Sequence, residues 1–260
     1  MDLLKPIQRL TGKAIGDFGL IDNGDRILLA LSGGKDSWAL FHALLRLRLR
    51  APIRYELIPV TVHPGFGDFD CTSIADEVAR HGLTLHIEYT EGKEIIEQHL
   101  RPGSSYCAFC ARLRRGALYG AADRLNCNKL ALGHHLDDVI ETLLLNQFYS
   151  GTLAAMSARM LADNGRHTVI RPLIYVEEKW IENWMAEAAI PLVCCGCPQQ
   201  AREDQKRQKM KALLHQLQKD IPHIKQSLLN ALRNVQPRHL LDSKLSDTPD
   251  LQGIQQSIPD

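Results

Sequence analysis

The chain has 260 residues, 45% hydrophobic and 23% charged, with 31 Lys and Arg against 30 Asp and Glu for a formal net charge of +1. These values suit a soluble globular protein built as one large domain, or a domain with a small appendage. A charge this close to neutral argues neither for nor against nucleic acid, because binding needs a local patch rather than a global excess. No apolar run approaches a membrane span, and the start lacks a basic region followed by a long apolar stretch. No membrane association, no signal peptide and a cytoplasmic location are therefore expected. Seven cysteines without a secretion signal argue against a disulfide framework, so clustered ones point to metal ligation or catalysis.

In chain order, Ile7, Leu10 and Ile15 predict a helix within residues 1–25, ended by a turn at Asp22-Asn23-Gly24-Asp25. Residues 27–31 form a continuous apolar run, as expected of a strand buried on both faces of a parallel sheet. A turn over residues 32–37 leads into a helix from Trp38 to about Leu49, which Pro52 stops. Residues 55–62 read as a second strand ending at His63-Pro64-Gly65. A helix capped by Asp70 or Thr72 then carries Ile74, Val78 and Ala79 and closes at Gly82. A third strand spans residues 83–89, and residues 91–106 read as irregular. A helix over 107–125 precedes a fourth strand over 129–132, which ends in Gly133-His134-His135-Leu136-Asp137-Asp138. Residues 139–148 are helical, and an irregular stretch follows the 150–152 loop. A fifth strand is expected at 168–171 and a helix at 177–188. Residues 191–197 read as a loop or short strand, with further helices at 205–217 and 222–235. One domain is expected over 1–235, with a disordered polar tail over 236–260. Cys71 and Cys127 fall inside elements and read as core residues.

Strands alternating with helices imply an α/β fold with a mostly parallel, Rossmann-like sheet. Ligands of such sheets sit outside the carboxyl ends of the strands. Ser32–Ser37, His63 and Gly133–Asp138 all end strands and should share one rim.

The first of these segments, Ser32-Gly33-Gly34-Lys35-Asp36-Ser37, lies between a buried strand and a helix. Glycines without a Cβ let the backbone approach a ligand. The turn amides and the helix N-terminus behind them form an anion site. Ser32 and Ser37 add hydroxyls and Lys35 adds a mobile cation. Asp36 after Lys35 excludes a Walker A loop. The hexapeptide resembles the PP-loop of the ATP pyrophosphatases, which split ATP into AMP and pyrophosphate, and the PP-loop fold is the expectation that follows. That places nucleotide binding on Leu31, Ser32, Gly33, Gly34, Lys35, Asp36 and Ser37, with His63, Gly133 and His134 beside them.

Asp137 and Asp138 fall in a first helical turn, where carboxylates are favoured in any case. One of them could bind Mg²⁺ on the ATP phosphates or act as a base, while the other caps. Cys107-Ala-Phe-Cys110 alone is a weak signal. With Cys194, Cys195 and Cys197 downstream it suits a metal or iron–sulfur site, and four thiolates for a structural zinc are also available. Arg46, Arg48, Arg50 and Arg54, then Arg112, Arg114 and Arg115, and finally Lys206, Arg207, Lys209 and Lys211 form local basic clusters. Each cluster taken singly reads as a solvated helix face.

Together, the PP-loop, Gly-His-His-x-Asp-Asp, Cys-x-x-Cys, Arg171-Pro-Leu-Ile-Tyr175 and Gly196-Cys197-Pro198 followed by Lys206-Arg207 resemble the tRNA 2-thiocytidine synthetase family. The likeness spans about residues 20–235. It implies a 4Fe-4S cluster on Cys107, Cys110 and Cys197, with Cys195 as the alternative third ligand. ATP and Mg²⁺ would be the other cofactors, and Asp36, Asp137 and Asp138 the catalytic candidates. The implied reaction adenylates C2 of a cytidine in a tRNA anticodon loop, after which cluster-bound sulfide displaces AMP. The implied partners are tRNA, gripped by the basic clusters, and a sulfur donor such as a cysteine desulfurase. A homodimer is compatible with this reading. The competing readings are a tRNA modifier forming 2-thiouridine or lysidine, and a zinc-containing nucleotide-binding regulator without turnover.

Overall fold

The computed structural model describes residues 2–67, 69–101, 106–194, 197 and 205–242. In chain order the elements are α1 (Leu4–Phe18), β1 (Arg26–Ala30), α2 (Lys35–Arg48), β2 (Glu56–His63), α3 (Cys71–Arg80) and β3 (His86–Tyr89). They continue with α4 (Gly92–His99), α5 (Tyr106–Arg124), β4 (Lys129–Ala131) and α6 (Leu136–Leu145), which runs into a π-helical turn, Asn146–Ser150. Then come β5 (Arg159–Leu161), β6 (Thr168–Ile170), α7 (Glu178–Ala188), α8 (Gln205–Asp220), α9 (Ile224–Arg233) and a 3-10 turn, Pro237–His239. That last turn falls within the stretch read as a polar tail, whose residues 243–260 lie outside the described residues.

The described strands form one sheet in the order β3-β2-β1-β4-β6-β5. All neighbours pair in parallel except β5, which runs antiparallel to β6 at the edge. Period-2 alternation explains the unbroken apolar run of β1: Ile27 and Leu29 enter one core cluster and Leu28 the other. Strands β2 and β3 lie on one side of β1, and β4 on the other. The strand order therefore reverses between β1 and β4, which is where open α/β sheets place their ligand crevice.

Three expectations shift. Helix α2 begins at Lys35, inside the phosphate-loop motif, with Gly34 as an extended N-cap. Residues 92–99, read as irregular, form α4, whose one buried apolar side chain, Ile96, leaves too faint a period to detect. Strand β5 was not anticipated, because its three residues are all exposed and show no alternation. Cys127 is buried as expected, whereas Cys71 is only half-buried at the first turn of α3. No helix among the described residues is long and apolar enough to cross a membrane.

Candidate functional site

The first wall of the site is the loop between β1 and α2. Leu31 is buried and its N–H donates to Val60 O at 2.8 Å, which continues the sheet into the loop. Gly33 has φ +78°, a region costly for other residues, and a Cβ there would lie 2.8 Å from Val193 Cβ. The Val193 N–H donates to Gly33 O at 3.1 Å, and Trp38 Nε1 donates to Pro191 O at 3.2 Å. The segment leading to the late cysteines is thus bonded to this loop. Ser37 Oγ donates to Gly34 O at 2.8 Å and lies 3.3 Å from Ser32 Oγ. Both hydroxyls stand where the first N–H groups of α2 point out along the helix axis, an anion-binding arrangement.

Lys35 is held in two ion pairs. Its Nζ contacts Asp36 Oδ1 at 2.9 Å and Glu178 Oε1 at 3.0 Å. Burial works against the ammonium, but Asp36 and Glu178 outweigh it and raise its pKa. Burial alone would likewise raise the Glu178 carboxyl. Lys211, 2.5 Å away, and Lys35 instead hold it down to about 2. Asp36 is in the first turn of α2, about one-third exposed.

The second wall follows β4. A Cβ on Gly133 would lie 3.0 Å from the Asp36 carbonyl and 3.1 Å from Ser37 N. Glycine is thus what lets the two rim segments touch. The helix start at Leu136 makes His135 the N-cap residue. His135 Nε2 lies 3.6 Å from Asp36 Oδ1 and 3.5 Å from Asp138 Oδ2, and its Nδ1 is 3.8 Å from Asp137 Oδ2. That Nδ1 makes no hydrogen bond among the described residues. His134, singled out by the sequence, accepts from Arg171 Nε at 3.3 Å. Burial pushes it down to about 4, with Arg171, Arg207 and His135 acting the same way against Asp138.

The two aspartates diverge. Asp137 is buried, accepts from the Glu178 N–H at 2.7 Å and pairs with Lys225 at 2.6 Å, so it ties α6 to α7 and α9. Asp138 accepts from the His135 N–H at 3.0 Å and from Arg207 at 3.1 Å, and faces Asp36 across His135. Arg207 also reaches Glu141 at 3.6 Å. Burial raises the Glu141 carboxyl to about 7, with Asp138 and Asp137 adding to the shift and Arg207 and Lys211 opposing it. On α8, Arg207 is half-buried against Asp138 and Glu141, so the solvated-face reading fails for it, whereas Lys211 stays exposed while its Nζ reaches Glu178. His63 ends β2 but packs against Phe69 and Tyr89, while its Nδ1 accepts from the Gly65 N–H at 3.2 Å. No described contact joins it to the loop.

Cys107 and Cys110 lie three residues apart in the first turns of α5, on one helix face. The Tyr106 hydroxyl is pushed up to about 12, first by burial and then by the charges of Cys197, Cys110, Glu97 and Cys107. All three thiols thus lie within electrostatic reach of one hydroxyl, and three cysteine sulfurs are the donor type that an iron–sulfur cluster takes. Cys194 is exposed, and Cys195 lies outside the described residues. The Asp36 and Asp138 carboxylates supply hard oxygens of the kind Mg²⁺ takes.

The sequence reading missed His135, Glu178, Lys225 and Glu141. His135 carried a local signal that it shares with His134, an acid three residues later. Glu178 and Lys225 reach the rim from distant helices, and Glu141 lies one turn past Asp138 on α6.

A family model described as a PP-loop domain matches residues 4–194. The tRNA-cytidine(32) 2-sulfurtransferase of Syntrophotalea carbinolica is 60% identical over 245 residues, covering 94% of this chain and 95% of its own. That of Geobacter sulfurreducens is 55% identical over 248 residues, covering 94% and 96%. In fold, the chain is similar to the U34-tRNA thiolase of Methanococcus maripaludis solved with its [4Fe-4S] cluster, at TM-score 0.73 and 22% identity over 95% of this chain and 85% of that one. Sequence identity across nearly the full length and the geometry of the rim lead to one conclusion: the chain belongs to the PP-loop family and, within it, to the tRNA-cytidine(32) 2-sulfurtransferases.

Proposed function

We propose that this chain replaces the C2 oxygen of cytidine 32 in tRNA with sulfur at the expense of ATP. The observation that carries this reading is the bonding of residues 191–193, which lead into the late cysteines, to the nucleotide loop through Val193 and Trp38. A sulfur site and an ATP site sharing a wall suit a reaction that activates an oxygen and then replaces it.

The loop over residues 32–37 and the N-terminus of α2 bind the ATP phosphates, with Lys35 held ready by Asp36 and Glu178. Asp36 and Asp138 would hold Mg²⁺, whose positive charge would supply stabilisation of the pyrophosphate leaving group. The cytidine C2 oxygen attacks the α-phosphorus, the bond to pyrophosphate breaks, and an O-adenylated base results. Sulfur then bonds to C2, the C2–O bond breaks and AMP leaves. Cys107, Cys110 and Cys197 would hold a 4Fe-4S cluster, which supplies one iron without a protein thiolate as a position for exogenous sulfide. A donor such as a cysteine desulfurase provides that sulfur as a persulfide, which two external thiols reduce to sulfide while forming a disulfide.

The base must leave its stack to reach the rim. Phe148 and Tyr149 of the π-helical turn are 59% and 46% exposed, and Lys206 Nζ sits 4.8 Å over the Tyr149 ring. They form a platform suited to splayed bases beside a phosphate-binding cation.

The test is nucleoside mass spectrometry of tRNA from a deletion strain. 2-Thiocytidine should vanish, return with the wild-type gene, and stay absent with Asp36→Ala or Cys107→Ala. Loss of a thiouridine or lysidine instead would overturn the substrate. Zinc without iron or labile sulfide in anaerobically prepared protein would overturn the cluster.

A further inference from the structure

Away from the rim, α2 and α3 bring together two histidines and a glutamate that the reaction does not use. His42 lies six residues past Asp36, about 9 Å further along the helix at 1.5 Å per residue. Glu77 and His81, four apart, share one face at the end of α3. Ligand atoms of His42, Glu77 and His81 all lie within 4.8 Å of one another.

The geometry points to a second metal site, in which His42, Glu77 and His81 bind a divalent ion of the zinc class. Two imidazoles and a carboxylate form a donor set that zinc takes when it keeps a fourth position open. Glu77 Oε1 and His81 Nε2 are already 3.4 Å apart. Two ligands at opposite corners of a tetrahedron with bonds of about 2.05 Å stand roughly 3.3 Å apart, so this pair needs almost no movement. His42 has only to close the remaining distance.

The surroundings orient these ligands. Glu77 Oε2 is engaged by Arg80 at 2.7 Å, which leaves Oε1 for the ion. Trp184 and Phe41 pack against the His42 ring at centroid distances of 5.3 and 5.2 Å. His42 Nε2 is buried and has no hydrogen-bond partner among the described residues. A buried imidazole nitrogen left unbonded is costly, and a metal removes that cost. The nearby guanidinium of Arg46 is engaged by Asp2 at 2.5 Å. An open pocket of about 530 Å³, lined by Leu4, Leu45 and Trp184 besides the ligands, leaves room for a water or small ligand on the fourth position.

The test is Co²⁺ titration of the anaerobically prepared full chain, with Zn²⁺ as competitor. A site of nitrogen and oxygen ligands gives weak visible cobalt bands without the strong near-ultraviolet band of a thiolate ligand, so it is read apart from the cysteine site. One such ion per chain is expected. His81→Ala and Glu77→Gln should each weaken it about 100-fold, as loss of a ligand or its support does. Because His42→Gln could perturb packing, its Co²⁺ spectrum is read beside its thermal unfolding in the absence of metal. Thiolate-type spectra alone, or affinity unchanged by Glu77→Gln and His81→Ala, overturn the site. Binding lost with His81→Ala but untouched in folded His42→Gln protein reveals a surface histidine and also overturns it.

Discussion

The two ends of the β1–β4 strand pair handle charge in opposite ways. At the amino end Lys129 is 3% exposed and pairs with Asp25 at 2.6 Å and Asp22 at 2.8 Å. Asn128 Nδ2 donates to Asp25 Oδ1 at 2.7 Å, and Asn128 Oδ1 accepts from the Arg26 N–H at 2.9 Å. This network is closed around its buried cation. At the carboxyl end Asp36, Asp138, Glu141 and Glu178 share Lys35, Arg207 and Lys211. There His135 Nδ1 is unsatisfied among the described residues, and Glu141 is raised to about 7. The comparison teaches that a buried ion pair marks a binding site only where its partners are shared and incomplete.

Four perturbations would break or sharpen that contrast. The largest effect on folding should come from Lys129→Met, which leaves Asp25 buried without its cation and costs about 3–5 kcal/mol. Urea unfolding reads it, and turnover per folded molecule should not change. A loss under about 1 kcal/mol would mean that the amino-end network is not closed.

Asp36→Ala should do the reverse. Pyrophosphate release should fall roughly 10²–10³-fold, the scale of losing one charge-stabilising group, while unfolding stays near the wild-type curve because the side chain is about one-third exposed. Release at the wild-type rate would detach the loop from ATP.

Glu141 provides a pH test. Its folded pKa of about 7 exceeds the usual 4.5. Its protonated form therefore contributes stability that is fully present below pH 4.5 and is lost as pH rises through 7. Between those limits the wild type should lose up to roughly 3 kcal/mol relative to Glu141→Gln. Arg207, Lys211, Asp137 and Asp138 face the group and all stay in place in that variant. Parallel stability–pH curves for the two proteins would show that the rim does not strain this carboxyl.

The smallest and finest contrast separates the two neighbouring aspartates. Asp137→Asn weakens the bonds to the Glu178 N–H and Lys225 and should cost about 1–3 kcal/mol of stability. Its turnover should stay within about threefold of wild type. Asp138→Asn should keep stability and lose turnover about 10–100-fold. Equal effects of the two on both measurements would remove the division of roles.

Much of this was legible locally. The hexapeptide of residues 32–37 announced a strand, a phosphate turn and a helix, because glycines, hydroxyls and an apolar run act over a few residues. The Cys107–Cys110 spacing likewise placed two thiols on one helix face. The choice between His134 and His135 was not legible, since it depends on α6 starting at Leu136 rather than three residues later. Nor was the pairing of Arg207 with Asp138 and Glu141, because a basic helix looks the same in sequence whether it faces water or buried carboxylates.

The sequence by itself determined the kind of chemistry at each strand end: an anion turn after β1, a His-Asp segment after β4, and thiols at two distant places. Only the tertiary structure decided which of these groups face one another. Pairing β4 directly with β1 puts Gly133 against Asp36 and Ser37, and packing α7, α8 and α9 over that crevice brings in Glu178, Arg207 and Lys225. Those contacts span from about seventy to about one hundred and forty residues of chain. At such separations strand order and helix packing set the neighbours, and the spacing of residues along the chain carries no information about them.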